Sequence, residues 1–398
     1  MVSEAMTRSA SKPIYLDYNA TTPIDPKVLR AMLPYLQEHF GNPSSNHPYG
    51  LNAKEAVGEA REQVANLIGA EPDEIVFTSG GSESDNHAII GASLANRKKG
   101  RHIITSRVEH PAVLETCRYL EKTFSFKVTY LPVDKYCLVS PEDVENTITD
   151  ETILITIMHS NNEVGTVEPI EQIGEIARRK GVLFHTDAAQ SCGKIEVDVD
   201  MLKVDMLTMA GHKLYAPKGI GALYIRSGTT IDSFIHGAGQ EKGRRAGTEN
   251  VPYIVGLGEA CSIAEKTLPR FAVDVRGLRD KLHSRVLEGL VVKKQVKLNG
   301  HPEKRLPNTL NISISGVVGE DLLSQIPEIA ASTGSACHSG SLEPSKVLLE
   351  MGVNRDDALG TLRLTLGRWS TEEEVDKASR LILEQVTNPN DGRSRKIE

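Results

Sequence analysis

The segment Val182-Leu183-Phe184-His185-Thr186 is a short apolar run that Asp187 follows directly. A second such run, residues 205–210, is followed by Gly211-His212-Lys213. Short apolar runs between helical patterns are typical of strands that are buried on both faces of a parallel sheet. Ligands of such sheets bind beyond the carboxyl ends of the strands, so we expect Asp187 and Lys213 to face one binding site.

The same alternation of strand and helix patterns continues through the first two thirds of the chain. Further predicted strands cover residues 74–78, 102–106, 152–158 and 221–226. Helical patterns cover residues 53–68 and begin again near Pro111 and after Pro169. The pattern predicts an α/β fold with a mostly parallel sheet that helices cover on both faces. Polar residues at the predicted strand ends would meet at one edge of this sheet: 79–84, 109–110, 161–162 and 187–190.

The last third of the chain has a different pattern. It predicts an amphipathic helix over 273–290, strands over 309–314 and 361–366, and a helix over 371–386, which indicates a smaller α+β unit. A chain of 398 residues also exceeds what one hydrophobic core usually organises. We therefore expect a large domain over 21–261, a small domain made of 1–20 and 262–388, and a disordered polar tail over 389–398.

The composition argues against several classes of protein. The net charge of −7 and the isoelectric point near 6.0 argue against a nucleic-acid or anionic-membrane partner. No apolar stretch approaches the ~18 residues of a membrane span, and the first residues contain no apolar signal segment, so we expect a cytoplasmic protein. The five scattered cysteines lack the spacing of metal ligands, which argues against a disulfide framework and against a metal site.

A lysine after one buried strand and an aspartate after another are the groups that an enzyme using pyridoxal 5'-phosphate (PLP) requires. The amine of Lys213 would form a Schiff base with the cofactor aldehyde, and the carboxylate of Asp187 would keep the pyridine nitrogen protonated. Taken alone, Lys213 is more simply a surface lysine and Asp187 a helix-capping residue. The interpretation therefore depends on the cofactor's other contacts.

Residues 77–86, Phe-Thr-Ser-Gly-Gly-Ser-Glu-Ser-Asp-Asn, supply one such contact. They predict a strand end, a glycine turn and a helix start, where backbone amides and the helix N-terminus favour a phosphate. The same sequence also fits a helix start without a ligand, in which Ser82 and Asp85 form a capping box.

Taken together, the motifs of this chain resemble those of the cysteine desulfurases, the NifS/IscS-like branch of the class V aminotransferase family. The motifs occur in order along nearly the whole chain: YLDYNATTP (15–23), GNPSS (41–45), FTSGGSES (77–84), VEHPAV (108–113), HSNNEVG (159–165), HTDAAQS (185–191), AGHKLYAPKG (210–219), RAGTEN (245–250), GSACHSGSLEPS (334–345) and RLTLGR (363–368). The resemblance implies the type I fold of PLP-dependent transferases.

The resemblance also implies a role for each residue of the site. Lys213 would hold PLP and carry the substrate's α proton, and Asp187 would pair with the pyridine nitrogen. Gln190 would hydrogen-bond the phenolic oxygen, and His110 would stack on the ring and assist proton transfer.

The remaining contacts implied by the resemblance concern the phosphate and the substrate. The phosphate would be held by Gly81, Ser82 and His212, and by Thr248 from the other subunit of a homodimer. Asn162 would contact both cofactor and substrate, and Arg363 would bind the amino-acid carboxylate. Many relatives carry a serine where this chain has Ala210, so we expect one phosphate contact to be missing.

Cys337 is the expected sulfur acceptor. Glycines and small polar residues surround it, a composition that is typical of a mobile loop, and His338 is placed to help deprotonate the thiol. A thiolate there would take up the substrate sulfur as a persulfide and pass it to an acceptor protein. The other four cysteines lie in or near predicted elements, and we interpret them as buried structural residues.

The leading interpretation is a homodimeric PLP enzyme that converts L-cysteine to L-alanine and leaves a persulfide on Cys337, as a source of sulfur for iron–sulfur clusters or other thio-cofactors. Selenocysteine lyase is the closest alternative, because it shares the GNPSS, FTSGG and ACHS segments. Residues 341–345, SLEPS, are more similar to the desulfurases. A third alternative is a non-catalytic scaffold with the same fold in a sulfur-transfer complex.

Overall fold

The computed structural model of the protein describes residues 12–290, 294–334 and 343–388. Within these ranges lie twelve strands: β1 (Ile14–Tyr15), β2 (Ile75–Thr78), β3 (His102–Ser106), β4 (Lys127–Leu131), β5 (Thr152–Thr156), β6 (Leu183–Asp187), β7 (Met206–Ala210), β8 (Gly221–Ile225), β9 (Val296–Leu298), β10 (Thr309–Ile314), β11 (Ile329–Ala330) and β12 (Thr361–Thr365). The same ranges contain thirteen α-helices: α1 (Pro26–Gln37), α2 (Pro48–Leu67), α3 (Gly81–Asn86), α4 (Ala92–Asn96), α5 (Pro111–Phe124), α6 (Pro141–Thr147), α7 (Ile170–Lys180), α8 (Val199–Leu202), α9 (Val251–Leu290), α10 (Gly319–Ser324), α11 (Lys346–Glu350), α12 (Arg355–Leu359) and α13 (Glu372–Thr387).

Seven strands form the central sheet, in the order β2-β8-β7-β6-β5-β3-β4. The strands from β7 to β4 in that order are parallel to their neighbours, whereas β8 is antiparallel to both β7 and β2. Apart from the edge strand β4 and Leu183, every residue of these strands is buried, as the near-continuous apolar sequence requires. The prediction of a mostly parallel sheet is confirmed.

Helices cover both faces of the central sheet. On one face, α2, α7 and α9 bury side chains such as Val57, Ile173 and Ile254. On the other face, Val113 and Leu120 of α5 pack against the sheet. The prediction of helices on both faces is therefore confirmed as well.

A second core forms around two small sheets. One sheet has the order β12-β10-β9 and is antiparallel, and the other is the short parallel pair of β1 and β11. Leu310 and Leu364 of the larger of these sheets pack with Ile382 of α13 and with Leu282 of α9. This α+β unit follows the sequence pattern of the last third of the chain.

Helix α9 contributes to both cores. It contains 40 residues, and its first half buries Ile254 in the core of the central sheet while its second half buries Leu282 in the second core. The sequence predicted only residues 273–290 of this helix, which in the structure begins at Val251 and continues through Pro269. The expected domain boundary after residue 261 lies inside this helix.

The strand expected over 152–158 ends at Thr156. Several elements were not predicted: β1, β4, β9, β11, α1, α6, α8, α10, α11 and α12. β4 lies at the sheet edge with mostly half-exposed residues, so its sequence lacks a continuous apolar run. The tail expected to be disordered, 389–398, lies outside the described residues.

Candidate active site

The carboxyl ends of the parallel strands open onto a cavity of about 380 Å³. Nine of the residues predicted for the site line this cavity: Gly81, Ser82, His110, Asn162, Asp187, Gln190, His212, Lys213 and Arg363. The loops that follow parallel strands meet at one sheet edge, which is why residues so distant in sequence come together. Asn19, Asp85 and Ser160 also line the cavity and were not predicted.

Lys213 lies in a short turn, Gly211–Lys213, directly after β7. Its Nζ donates to the main-chain oxygens of Asn19 at 2.6 Å and Ala20 at 2.8 Å. Burial and the charge of Arg363 lower the pKa of Lys213 to about 8, although the carboxylate of Asp187 acts in the opposite direction. The neutral amine, which is the nucleophilic form, is therefore accessible just above neutral pH.

Asp187 is the last residue of β6 and is buried in the wall of the cavity. One of its oxygens, Oδ1, accepts from the main-chain nitrogen of Ala189 at 2.9 Å. Burial raises the pKa of Asp187, and the nearby positive charges of His110 and Lys213 lower it. A cationic group bound in the cavity beside this carboxylate would favour its ionised form.

His110 is exposed to the cavity and also caps helix α5. Its Nδ1 accepts from the main-chain nitrogen of Ala112 at 3.1 Å, so the proton of the neutral ring lies on Nε2. The surrounding protein lowers the pKa of His110 by desolvation, an effect that Asp187 opposes and the charge of Lys213 reinforces. The hydrogen bond from Ala112 at the start of α5 fixes the orientation of the ring through Nδ1.

The glycine turn after β2 closes another side of the cavity. Gly80 has a φ of 150°, a conformation that favours glycine, and it is the N-cap of α3. A side chain on Gly81 would have its Cβ only 3.3 Å from the Cβ of Ala210. The capping box proposed for Ser82 and Asp85 is wrong, because Ser82 already lies inside the first turn of α3.

Arg363 lies in β12 and reaches the cavity from the second core. Its Nη2 forms an ion pair with Asp17 Oδ1 at 3.0 Å, and its Nη1 donates to the main-chain oxygen of Asn162 at 3.4 Å. The buried Nε has no hydrogen-bond partner among the described residues. The guanidinium is thus held in place and retains donor capacity for an anion.

Asn19 connects the two cores at the cavity. Its main-chain oxygen accepts from Lys213 and from Gln190 Nε2, the latter at 2.9 Å. Its side chain bonds to Thr309 at 2.9 Å and to Lys194 Nζ at 3.2 Å. Asn19 falls inside the YLDYNATTP motif, which was the only sequence signal that could have identified it.

Asp85 lies on α3 in the wall of the cavity and is buried. Its Oδ1 has no hydrogen-bond partner among the described residues and lies 3.7 Å from His185 Nε2. Burial raises the pKa of Asp85 well above its usual value, and it lowers the pKa of His185 to about 3. Burial therefore favours the uncharged form of both side chains.

Two predicted residues are not placed in the cavity by this structure. Thr248 is exposed and does not line the cavity of its own chain. Cys337 lies outside the described residues. On either side of the undescribed segment, Ser345 Oγ hydrogen-bonds Glu163, and a Cβ on Gly334 would lie 2.9 Å from Glu163 Oε2. The four cysteines that the structure describes are all buried.

Two kinds of feature are absent from the described residues. No described helix combines the length and apolar composition needed to cross a membrane. Among the same residues, no group of three or more histidine, cysteine or acidic side chains has the arrangement of a metal site.

Comparison with known proteins places the chain in a family. The model of the aminotransferase class-V family matches residues 14–378. The chain is 51% identical over 378 residues to the cysteine desulfurase IscS of Methanosarcina thermophila, covering 94% of this chain and 92% of that protein. It is 50% identical to the cysteine desulfurase IscS of Clostridium botulinum over 370 residues, which is 92% of each chain.

Solved structures agree with the sequence relatives. A NifS-like protein superimposes with a TM-score of 0.87 at 39% identity, covering 94% of this chain and 99% of that one. A structure of SspA in complex with cysteine superimposes with a TM-score of 0.78 at 40% identity, covering 90% and 99%. The chain belongs to the aminotransferase class-V family and, within it, to the cysteine desulfurases.

Proposed function

We propose that the protein is a PLP-dependent cysteine desulfurase that converts L-cysteine to L-alanine and transfers the sulfur to Cys337 as a persulfide. The observation that carries this proposal is the meeting of Lys213, Asp187 and His110 in one cavity. The relatives named cysteine desulfurase and the solved structure of SspA in complex with cysteine support L-cysteine as the substrate.

The residues of the cavity fit PLP. A volume of about 380 Å³ suits a small cofactor with an amino acid, and the wall offers an amine, a buried carboxylate and a glycine turn. Lys213 would hold the aldehyde carbon, Asp187 the pyridine nitrogen and Gln190 the phenolic oxygen. Gly81, Ser82 and His212 would hold the phosphate, with one hydroxyl fewer because residue 210 is alanine.

When bound, PLP supplies an electron sink that stabilises negative charge at the substrate carbon. The protein's own residues do the rest. Arg363 and Asn162 orient the amino acid through its carboxylate, and the amine of Lys213 accepts and returns the α proton. A pKa of about 8 suits this exchange, because an effective proton carrier has a pKa near the working pH.

Sulfur transfer is assigned to Cys337. Its thiolate would attack the substrate sulfur, forming an S–S bond while the substrate's C–S bond breaks. The electron pair of the broken bond remains on carbon, which takes up a proton, so the products are alanine and a persulfide on the enzyme. The buried cysteines are unsuited to this step, since burial raises the thiol pKa of each of them.

The proposal includes a homodimer. Helix α1 exposes Leu29, Leu33 and Leu36 on one face at helical spacing. Beyond it, the exposed rings of Phe40 and Tyr49 stack with their centroids 5.4 Å apart. An apolar patch of this kind is typical of a subunit interface. A second copy would bring Thr248 of the partner subunit to the phosphate end of the cavity.

The proposed location of the enzyme is the cytoplasm. An acceptor protein there would receive the sulfur from the persulfide. The test is to incubate the purified protein with PLP and either L-cysteine or L-selenocysteine and to quantify alanine from each. Alanine from cysteine together with enzyme-bound sulfane sulfur is the expected result. Alanine from selenocysteine alone would identify a lyase, and a protein that binds no PLP would be a scaffold.

A further inference from the structure

Lys194 is a buried lysine next to the site, four residues after Gln190. Only 4% of it is exposed, and it does not line the cavity. Its Nζ donates to Gln190 Oε1 at 2.7 Å and to Asn19 Oδ1 at 3.2 Å. Both acceptors are amide oxygens, and no described carboxylate lies close enough to form an ion pair with it. Burial of a lysine is costly, so its position requires an explanation.

The contacts of Gln190 determine which way its amide faces. Its Nε2 lies 2.9 Å from the main-chain oxygen of Asn19, which can only accept a hydrogen bond. The reverse orientation would place two acceptors against each other, so Nε2 must face Asn19 and Oε1 must face Lys194. Two separate contacts therefore select one orientation of this side chain.

The orientation of the Gln190 amide determines which hydrogen-bonding group it presents to a ligand. An amide nitrogen has two N–H groups, and Asn19 takes one of them. The second is left for the cavity, which Gln190 lines. Gln190 thus presents a donor to the ligand, and a donor stabilises an anionic ligand oxygen.

We propose that Lys194 is a positioning residue that fixes the amide of Gln190 with its NH₂ group towards the cofactor. The inference rests on the proposed function, because the oxygen served by this donor is the phenolic oxygen of PLP. A lysine amine suits the task, because its N–H groups can donate to both of the amide oxygens that it meets. Lys194 itself touches no ligand.

Burial supports the same assignment. The desolvated environment and the positive charges of Lys213 and Arg363 lower the pKa of Lys194 well below its usual value. These effects favour the uncharged amine, which would hold Gln190 without adding a third positive charge beside the cavity. Methionine at this position would fill the space and leave Gln190 Oε1 without the donor that the structure gives it.

The test compares PLP binding by four variants of the full-length protein: Lys194→Met, Gln190→Ala, the double variant, and Lys297→Met as a control. Lys297 is a lysine of β9 that pairs with Asp357 at 2.5 Å and lies outside the site. Two quantities are measured. The first is the dissociation constant of PLP, from titration of the apo protein. The second is the pKa of bound PLP, from its absorbance over a series of pH values.

Both Lys194→Met and Gln190→Ala should weaken PLP binding about threefold to tenfold, the value of one hydrogen bond. Both of these variants should shift the pKa of bound PLP in the same direction. The control Lys297→Met should leave that pKa unchanged. The double variant should bind no more weakly than Gln190→Ala, because Lys194 acts through Gln190. Lys194→Arg, which keeps donors, should move the titration back towards that of the original protein.

A Lys194→Met protein with reduced melting temperature but unchanged PLP affinity and unchanged titration would show a packing role only and overturn the proposal. Additive losses in the double variant would overturn it as well. If Lys194→Met does not fold, Lys194→Gln takes its place, since its shorter side chain cannot reach both oxygens. Failure of the original protein to bind PLP would instead overturn the proposed function.

Discussion

The amine of Lys213 and the main-chain oxygen of Asn19 are joined by a hydrogen bond of 2.6 Å. Lys213 follows a strand of the central sheet, whereas Asn19 is bonded to Thr309 and Thr365 of the second core. The two cores therefore meet at the reactive amine. In the proposed function, the amine would leave this carbonyl to bind the aldehyde of PLP, and the hydrogen bond holds the amine at the cavity until then.

Lys213→Ala should abolish alanine production while the fold is retained. The side chain bonds to loop carbonyls and contributes little to either core, so its loss removes the cofactor amine and the proton carrier. Alanine formed from L-cysteine by the purified variant is the measurement. Lys218→Ala, an exposed lysine five residues later, is the matched control and should remain active. Turnover by the Lys213 variant would contradict the assignment.

The rate at which added PLP attaches to the apo protein should rise with pH around a midpoint near 8. Only the neutral amine attacks an aldehyde, and burial followed by the charge of Arg363 lowers the pKa of Lys213 to about 8. Raising the pH through this value therefore increases the reactive fraction. Arg363→Gln removes one of these causes and should move the midpoint upwards. Stopped-flow absorbance over a pH series measures the midpoint for the original protein and for the variant. A midpoint near 10.5 in the original protein would contradict the prediction.

Asp187→Asn should fold but lose most of its activity. A neutral amide cannot balance a pyridinium charge, so the electron sink is weakened. Asp205→Asn is a useful control, because Asp205 precedes β7 at the opposite edge of the sheet, where its Oδ2 accepts from the main-chain nitrogen of Phe184. The measurement is the steady-state rate of alanine formation by each variant and by the original protein. A loss below about tenfold, or ~1.4 kcal/mol, would mean that another group partners the nitrogen.

Cys337→Ser should separate the two leading chemistries. Serine is nearly the same size, but its hydroxyl is a poor nucleophile at neutral pH and cannot form a persulfide. For a desulfurase, alanine from L-cysteine should fall to background and no sulfane sulfur should remain on the protein. Cys117→Ala, a change to a buried cysteine of α5, should leave sulfur transfer intact.

Selenocysteine provides the second arm of that experiment. If the enzyme is chiefly a selenocysteine lyase, Cys337→Ser should still release alanine from selenocysteine, because selenium leaves more readily than sulfur. Full activity of the serine variant on cysteine would refute the role of Cys337 and direct attention to an external thiol.

Replacing Leu29 and Leu36 together by aspartate should give a monomer. Two charges on the exposed face of α1 cannot be buried against a second copy without a large desolvation cost. The monomer should also bind PLP more weakly, because it would lose the proposed phosphate contact from Thr248 of the partner subunit. Light scattering with PLP titration tests both effects. Leu349→Asp, at a similarly exposed leucine of α11, should stay dimeric.

Much of the central sheet could be predicted from sequence because its strands are buried on both faces. β3 and β10 have the predicted bounds, and the residues after β2, β3, β6 and β7 line one cavity as expected. These predictions depend only on local hydrophobic pattern and on the rule that parallel strands end at a common edge.

The parts that could not be predicted depend on contacts between distant segments. Asn19 acts through its main-chain oxygen, whose position is set by pairing of the neighbouring chain with β11 and β12. Lys194 was not predicted, because lysine is usually a surface residue, whereas here it is buried beside Gln190. The proposed contact of Thr248 with the phosphate depends on a second copy of the chain, which no hydrophobic pattern within one sequence can indicate.

Helix α9 has a consequence for how the protein unfolds. Its first half is held by Ile254 in the core beneath Lys213, and its second half by Leu282 in the core that carries Arg363. Opening either core would expose one end of a helix whose other end is still packed, so partial unfolding is unfavourable. On heating, the surroundings of Lys213 and of Arg363 should therefore lose their structure in a single calorimetric transition.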